Sequence, residues 1–225
     1  MLAVLYDIHG NLPALEAVLT DAQARGADRY LLGGDYASLG AWPVETLERL
    51  RKLPTVARLR GNWERWQANP EDMPEIPFNQ AACRWVREQI GAAAGELGAL
   101  PETTTVDGTF FCHASPRSDM RSFFPEPADD EAELLAGVSE KRLVFGHTHL
   151  QFERLSAGGI ELVNPGSVGL PFDGDTRAAY AVIDGERLEL RRVEYDYERA
   201  AALARERIAE VGDDIAERIE SASPP

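Results

Sequence analysis

Cysteine is nearly missing from this chain of 225 residues: Cys83 and Cys112 are the only two, and neither belongs to a CxxC pair. A disulfide framework is excluded, and two buried thiols in a reducing compartment are expected. Long apolar runs are missing as well, and no stretch approaches the length of a membrane-spanning helix. The opening residues 2–6 have neither a basic flank nor a small-residue cleavage site, so the expectation is a cytoplasmic protein. Positive charge is in short supply: 23 Lys plus Arg stand against 38 Asp plus Glu, a formal net charge of −15. Such a surface offers no footprint for duplex nucleic acid or a membrane. A small phosphorylated substrate stays open, because bound divalent cations reverse the local field. Histidine is scarce too, with four in all.

What is present is globular material, 44% hydrophobic and 27% charged, too apolar for disorder and long enough for a sizeable core. Residues 2–6 read as a strand buried on both faces. Asn11 reads as a helix cap, followed by Pro13 and by Leu12, Leu15, Val18, Leu19 and Ala22 at helical spacing as far as Gly26. Residues 30–32 and 56–59 read as two further strands. Between them a helix from Pro43 carries Val44, Leu47 and Leu50 on one face. A polar loop over 67–77 leads to a helix over 79–97, weakened by Gly91 and Gly95. From residue 103 the character changes to hairpins, turning at Asp107-Gly108, Gly158-Gly159 and Asp184-Gly185. Among them lie a loop over 114–127, a short acidic helix ending near Ala136 and a strand at 143–145. One amphipathic helix over 198–221 then precedes a frayed tail at 222–225. With no repeat, low-complexity tract or linker, residues 1–225 read as a single domain. A parallel first half and a hairpin-rich second half indicate an α/β protein with two sheets packed face to face and helices outside.

The four histidines, His9, His113, His147 and His149, each fall at or just past a predicted strand end. Asp7 and His9 are two apart, as are His147 and His149, and in extended backbone such residues point to one side. Asp35 and Asn62 close the other two early strands, where α/β proteins gather binding residues. Four imidazoles, two carboxylates and one amide oxygen, with no thiolate, suit Mn, Fe, Co, Ni or Zn as divalent ions. Seven ligands exceed the usual coordination of one ion and suffice for two that share a carboxylate, with Asp35 the natural bridge. Singly, Gly34-Asp35 is an ordinary turn and Asn62 an ordinary cap. The weight lies in the joint pattern, which uses every histidine in the chain.

Asp7-Ile-His9, Gly34-Asp35, Gly61-Asn62-Trp63-Glu64, the lone His113 and Gly146-His147-Thr148-His149 occur in that order. In this the sequence resembles the calcineurin-like metallophosphoesterases. The likeness runs at least to Asn164-Pro-Gly-Ser167, and the opening over 7–15 is most similar to the small prokaryotic phosphodiesterase and diadenosine-tetraphosphatase-related members. The resemblance implies a four-layer α/β/β/α sandwich of two mixed sheets. It implies one ion on Asp7, His9, Asp35 and His149, and a second on Asp35, Asn62, His113 and His147, manganese first among the candidate metals. The implied activity is hydrolysis of phosphate esters, with phosphodiesters or nucleotides ahead of phosphomonoesters, phosphoproteins or dinucleoside polyphosphates. A hydroxide shared by ions roughly 3.5–4 Å apart would attack phosphorus. A non-catalytic metal-binding scaffold on the same fold is the reading from another class; it predicts lost ligands, whereas all seven are present.

One position departs from the pattern. Trp63 stands where much of the family has histidine, and an indole N–H is a fixed donor without a titratable proton. The catalytic acid is therefore unassigned, and the balance moves towards phosphodiesters. Arg117, in the loop after His113, is a candidate phosphate fork, with Arg121 a weaker one. Asn11 either reaches the phosphate or only caps its helix. Trp42 and Trp66 either wall a stacking pocket or belong to the core, and Asp173 with Asp175 reads as a turn.

Overall fold

The computed structural model describes residues 1–224. Leu2–Leu5 (β1), with all four side chains buried, lies at the centre of the first sheet. It is parallel to Arg29–Leu32 (β2), in register from Leu2 opposite Arg29 to Leu5 opposite Leu32, and β2 is parallel to Thr55–Arg58 (β3). Leu12–Ala24 (α1) and Pro43–Arg51 (α2) are the crossover helices. The other edge is the antiparallel hairpin Ala178–Asp184 (β9) and Arg187–Val193 (β10), giving the order β10-β9-β1-β2-β3. Thr103–Val106 (β4), Thr109–Cys112 (β5), Arg142–Val144 (β6), Phe152–Leu155 (β7) and Glu161–Asn164 (β8) form the second sheet, in the order β4-β5-β6-β8-β7. Its central three strands are parallel and its edge strands antiparallel.

The period of two along β1 sets the layers. Leu2 and Val4, with Leu31, meet Phe111, Val144 and Val163 of the second sheet. Ala3 and Leu5 face the other way, onto Leu15, Val18 and Leu19 of α1. Tyr6, buried between the sheets, donates its hydroxyl to the Val144 carbonyl at 3.1 Å. The outer face of the second sheet is covered by Phe123 of a loop and by Leu134 of Glu131–Leu134 (α6), so the fourth layer of the α/β/β/α sandwich is thin.

Several expected elements differ. Asn62 does not end a strand; it opens Asn62–Ala68 (α3), which takes in Gln67 and buries it. The helix expected over 79–97 is two, Pro77–Ile90 (α4) and Ala93–Gly98 (α5), separated by Gly91 at φ +54°, a left-handed turn that stops the helix. Val44 is 38% exposed, and α2 buries Thr46 with Leu47 and Leu50 instead. The single helix expected over 198–221 is a helical hairpin, Tyr197–Arg207 (α7) and Gly212–Ser221 (α8). A straight helix of that length would span about 36 Å and carry its second half past the core. Folding back lets Ala200, Ala201, Ala204, Ile208, Ile215 and Ile219 share one cluster. Ala222, expected to fray, is buried and accepts the Gly174 N–H at 2.9 Å; residue 225 lies outside the described residues. Among the described residues no helix is long and apolar enough to cross a membrane.

A Cβ at Gly212 would lie 2.4 Å from the Ala204 carbonyl oxygen, closer than any real contact. Gly212→Ala should therefore push α7 and α8 apart and destabilise the protein by about 1–3 kcal/mol, read from urea unfolding. An unchanged midpoint would show that the hairpin does not depend on this approach.

Candidate metal centre

Asp7 and His9 follow β1, Asp35 follows β2, and Asn62 stands in the first turn of α3 beyond β3. His113 follows β5, and His147 and His149 follow β6. The parallel strands of both sheets thus deliver the seven side chains to one rim, at the carboxyl ends. All are buried except His147, which is half-buried.

The backbone there is not the extended chain expected from the two-residue spacing. φ is +53° at Asp7, +49° at His9, +57° at Asp35, +70° at His147 and +59° at His149. Each such conformation costs an L-residue roughly 1–2 kcal/mol, and such strain tends to concentrate where function needs it. Tight left-handed turns, rather than pleating, aim Asp7 with His9 and His147 with His149 at a common point.

Imidazole rings face that point. His113 Nδ1 donates to the Gly33 carbonyl at 2.9 Å and His149 Nδ1 to the Leu170 carbonyl at 2.6 Å, while His9 Nδ1 pairs with Ser38 Oγ at 2.8 Å. Such outer contacts orient the rings and turn Nε2 inward. His9 Nε2 and His149 Nε2 lie 3.1 Å apart, and Asn62 Oδ1 lies 3.0 Å from both His113 Nε2 and His147 Nδ1. Asp35 Oδ2 is 3.9 Å from His9 Nε2 and 3.5 Å from His113 Nε2. Asp7 Oδ2 accepts the His147 backbone N–H at 2.9 Å, but Asp7 Oδ1 is buried without a hydrogen-bond partner, 3.5 Å from His149 Nε2. Electron-rich atoms converge with too few protons among them, which is what divalent cations require. Two groups of donors, Asp7 with His9 and His149, and Asp7 with Asp35 and His113, each lie within 4.8 Å of one another. The residues present fit metal ions.

The electrostatics agree. Burial, then the nearby His149, pushes His9 down to about 4; burial, then His113, does the same to His147, so both keep their lone pairs at neutral pH. Burial works against charging His113, yet Asp35 and Asp7 outweigh it and hold the ring up to about 10. Asp7 and Asp35, for all their burial, are held below the usual carboxylate range by His149 and His113 respectively. The two acids thus demand positive charge at this point.

A family model, the calcineurin-like phosphoesterase superfamily domain, matches residues 1–187. The chain belongs to that family. It is 31% identical to an uncharacterized protein of Methanocaldococcus jannaschii, over 89% of this chain and 90% of that one. Among solved structures, a metallophosphoesterase from Sphaerobacter thermophilus is 27% identical, covers 98% of both chains and superposes with a TM-score of 0.80. A hypothetical protein from Pyrococcus horikoshii (24% identical, 96% and 98% covered, TM-score 0.81) shares the fold. Yfce, a phosphoesterase from E. coli, is 25% identical with a TM-score of 0.51 over 83% of this chain and 90% of its own. Family membership makes this protein a phosphoesterase dependent on metal, with the buried rim as its candidate metal-binding residues.

The other candidate residues of the phosphoesterase make contacts within the chain. Arg117 is exposed and donates to the Ala136 carbonyl at 2.8 Å, tying a loop to the turn after α6. Arg121 pairs with Asp130 and Glu133. Asn11 is engaged throughout: Oδ1 accepts the Ala14 N–H, and Nδ2 donates to the Gly169 carbonyl at 2.8 Å and the Tyr195 hydroxyl at 3.1 Å, so it acts as a cap and a tie between loops. Trp63 and Trp66 stack edge to face with centroids 5.2 Å apart inside a buried cluster, against which Trp42 packs. Asp173 and Asp175 are held by Arg192 and Arg177.

The sequence reading assigned no role to Glu64, Asn164 or Ser167. Ser167 Oγ donates to the Asp7 carbonyl at 2.6 Å, and Asn164 Nδ2 to the Gly146 carbonyl at 3.1 Å, bracing the loops that carry Asp7 and His147. Glu64 is wholly buried; Oε2 accepts the N–H groups of Asp35 (2.7 Å) and Gly61 (2.8 Å), and Oε1 that of Tyr36 (2.8 Å). Burial, then the Asp35 charge, pushes its carboxyl up to about 7 against those three donors. The signal was the spacing: a Glu three residues after a helix cap reaches back to the cap's N–H. In Glu64→Gln the amide nitrogen must face at least one of these N–H groups. We expect a loss of about 1–3 kcal/mol in chemical unfolding; unchanged stability would remove Glu64 as the brace of the Asp35 loop.

Proposed function

We propose that this phosphoesterase hydrolyses phosphodiesters or nucleotides at a centre of two divalent ions, manganese first among Mn, Fe, Zn, Co and Ni. Asp7, His9, Asp35 and His149 would hold one ion and Asp35, Asn62, His113 and His147 the other. The observation that carries this reading is the convergence of inward nitrogens on two buried carboxylates, one of which has an unpartnered oxygen. Asp7 is common to the two close donor groups, while the bridging role of Asp35 is supported by its contacts to a histidine of each half, His9 and His113. When bound, such ions supply Lewis-acid polarisation of the phosphoryl group and activation of water for attack at phosphorus.

The chain's own residues orient and exclude. The outer hydrogen bonds of His9, His113 and His149 hold the rings in place, and the α3 terminus donates the Trp63 N–H to Asp35 Oδ1 at 3.1 Å. The Trp63 indole lies in the core and supplies no proton, which favours esters whose leaving oxygen needs little protonation. The half-buried side chain of His147 is where the cluster meets solvent.

The assay compares bis-p-nitrophenyl with p-nitrophenyl phosphate on chelator-treated protein with and without added Mn²⁺. Metal-dependent hydrolysis with preference for the diester is expected; no metal-dependent hydrolysis of either refutes the reading, and monoester preference refutes its diester part. Asp35→Asn keeps the acceptor for the Trp63 N–H but replaces the oxygen facing His9 and His113. It should lower kcat/KM at least about a hundredfold with little change in Tm. Full activity in that variant would exclude the two-ion assignment.

A further inference from the structure

The histidine cluster opens on one side into a groove of about 420 Å³, with His147 part of both. Its apolar walls are Met120 and Phe124 from the loop after His113, Leu150 from the turn after His149, and Phe172 from the connection between β8 and β9. Met120 and Phe124 are 40% and 47% exposed, a display of apolar area that marks a binding surface when it rims a cleft. Neither sits on loose chain. Phe123 plugs the outer core of the second sheet, Arg154 Nε donates to the Phe124 carbonyl at 2.9 Å, and the Met120 N–H donates to Ser118 Oγ at 3.0 Å. Phe172 stacks on the His149 ring at 4.5 Å and 19°. Preorganised apolar groups of this kind bind without a further ordering cost.

The charge of the lining excludes a second phosphate as its natural occupant. Arg121 is its cation, and Asp130 at 2.9 Å and Glu133 at 2.8 Å offset it. What remains is a slot between two phenyl rings and a thioether, suited to a flat, polarisable ring.

We propose that this groove is the subsite for an aromatic ring on the alcohol portion of the substrate, making Met120, Phe124 and Phe172 specificity-determining residues. The phosphoesterase then selects phosphate esters of aryl or nucleobase-bearing alcohols over those of small alkyl alcohols. This rests on the cluster being the phosphoryl site.

The test uses the Mn²⁺-loaded protein and two ligands that cannot be hydrolysed, phenylphosphonate and methylphosphonate, with affinities from calorimetry. The phenyl compound should bind about tenfold more tightly, and the ratio should fall towards one in the Met120→Ser/Phe124→Ser double variant, whose substitutions are at exposed positions. A second arm compares kcat/KM for AMP and ribose 5-phosphate: a base-dependent gain assigns the groove to nucleotides, and its absence beside a phenyl gain assigns it to simple aryl esters. Equal phosphonate affinities in the unmodified protein, or a ratio unmoved by the double substitution, overturns the subsite. If that unmoved ratio accompanies loss of a dimer, the groove belongs to a second copy of the chain. Failure of both phosphonates to bind overturns the phosphoryl reading of the cluster and the subsite with it.

Discussion

Asp7 and Asp35 are carried on adjacent parallel strands into the interior, and the same rim receives four imidazoles and only a few N–H donors. Two negative charges removed from water cost many kcal/mol unless positive charge or donors compensate. His147 N–H and Trp63 N–H each reach one carboxylate oxygen, and Asp7 Oδ1 has no partner. The remaining demand for positive charge at this point gives the surrounding loops their purpose.

Left-handed backbone at five of the seven rim residues would relax if the chain were free to move. It is held from several directions. Glu64 ties the Asp35 loop to the α3 terminus through three backbone N–H groups, and Ser167 ties the Asp7 loop to the strand connection after β8. The hydrogen bond from the Tyr6 hydroxyl to the Val144 carbonyl ties the two sheets together at the depth of the site, and that from the Gly146 N–H to the His113 carbonyl joins the ends of β5 and β6. The donors from the two sheets can therefore stay within contact distance before any ligand arrives, which lowers the cost of binding one.

Local pattern made much of the architecture readable. The apolar run at β1, the Asn11 cap with Pro13, and the Asp107-Gly108 turn all act through neighbours in sequence, and each forms where propensity and period predict. Elsewhere distant packing overrides local preference. Spacing alone places Asn62 at a strand end, but its segment becomes a helix because Glu64 caps it and the aromatic pair Trp63 and Trp66 packs into a core built by α4, α7 and α8. The amphipathic stretch over 198–221 shows no proline break, and it folds back because its apolar residues meet one cluster only as a hairpin.

By itself the sequence determined which atoms are available: four histidines and two carboxylates just past strand ends, an amide at Asn62, an excess of acidic residues, and motifs whose order marks the family. These follow from residue chemistry and from spacing along the chain. Tertiary structure alone decided how those atoms aim, because the convergence depends on left-handed turns braced by Glu64, Ser38, Asn164 and Ser167, contacts between residues far apart in sequence. It also decided that Arg117 and Asn11 are engaged in loop contacts, and that an apolar groove opens beside His147. A groove is a relation among separate segments, and no periodicity along one segment records it.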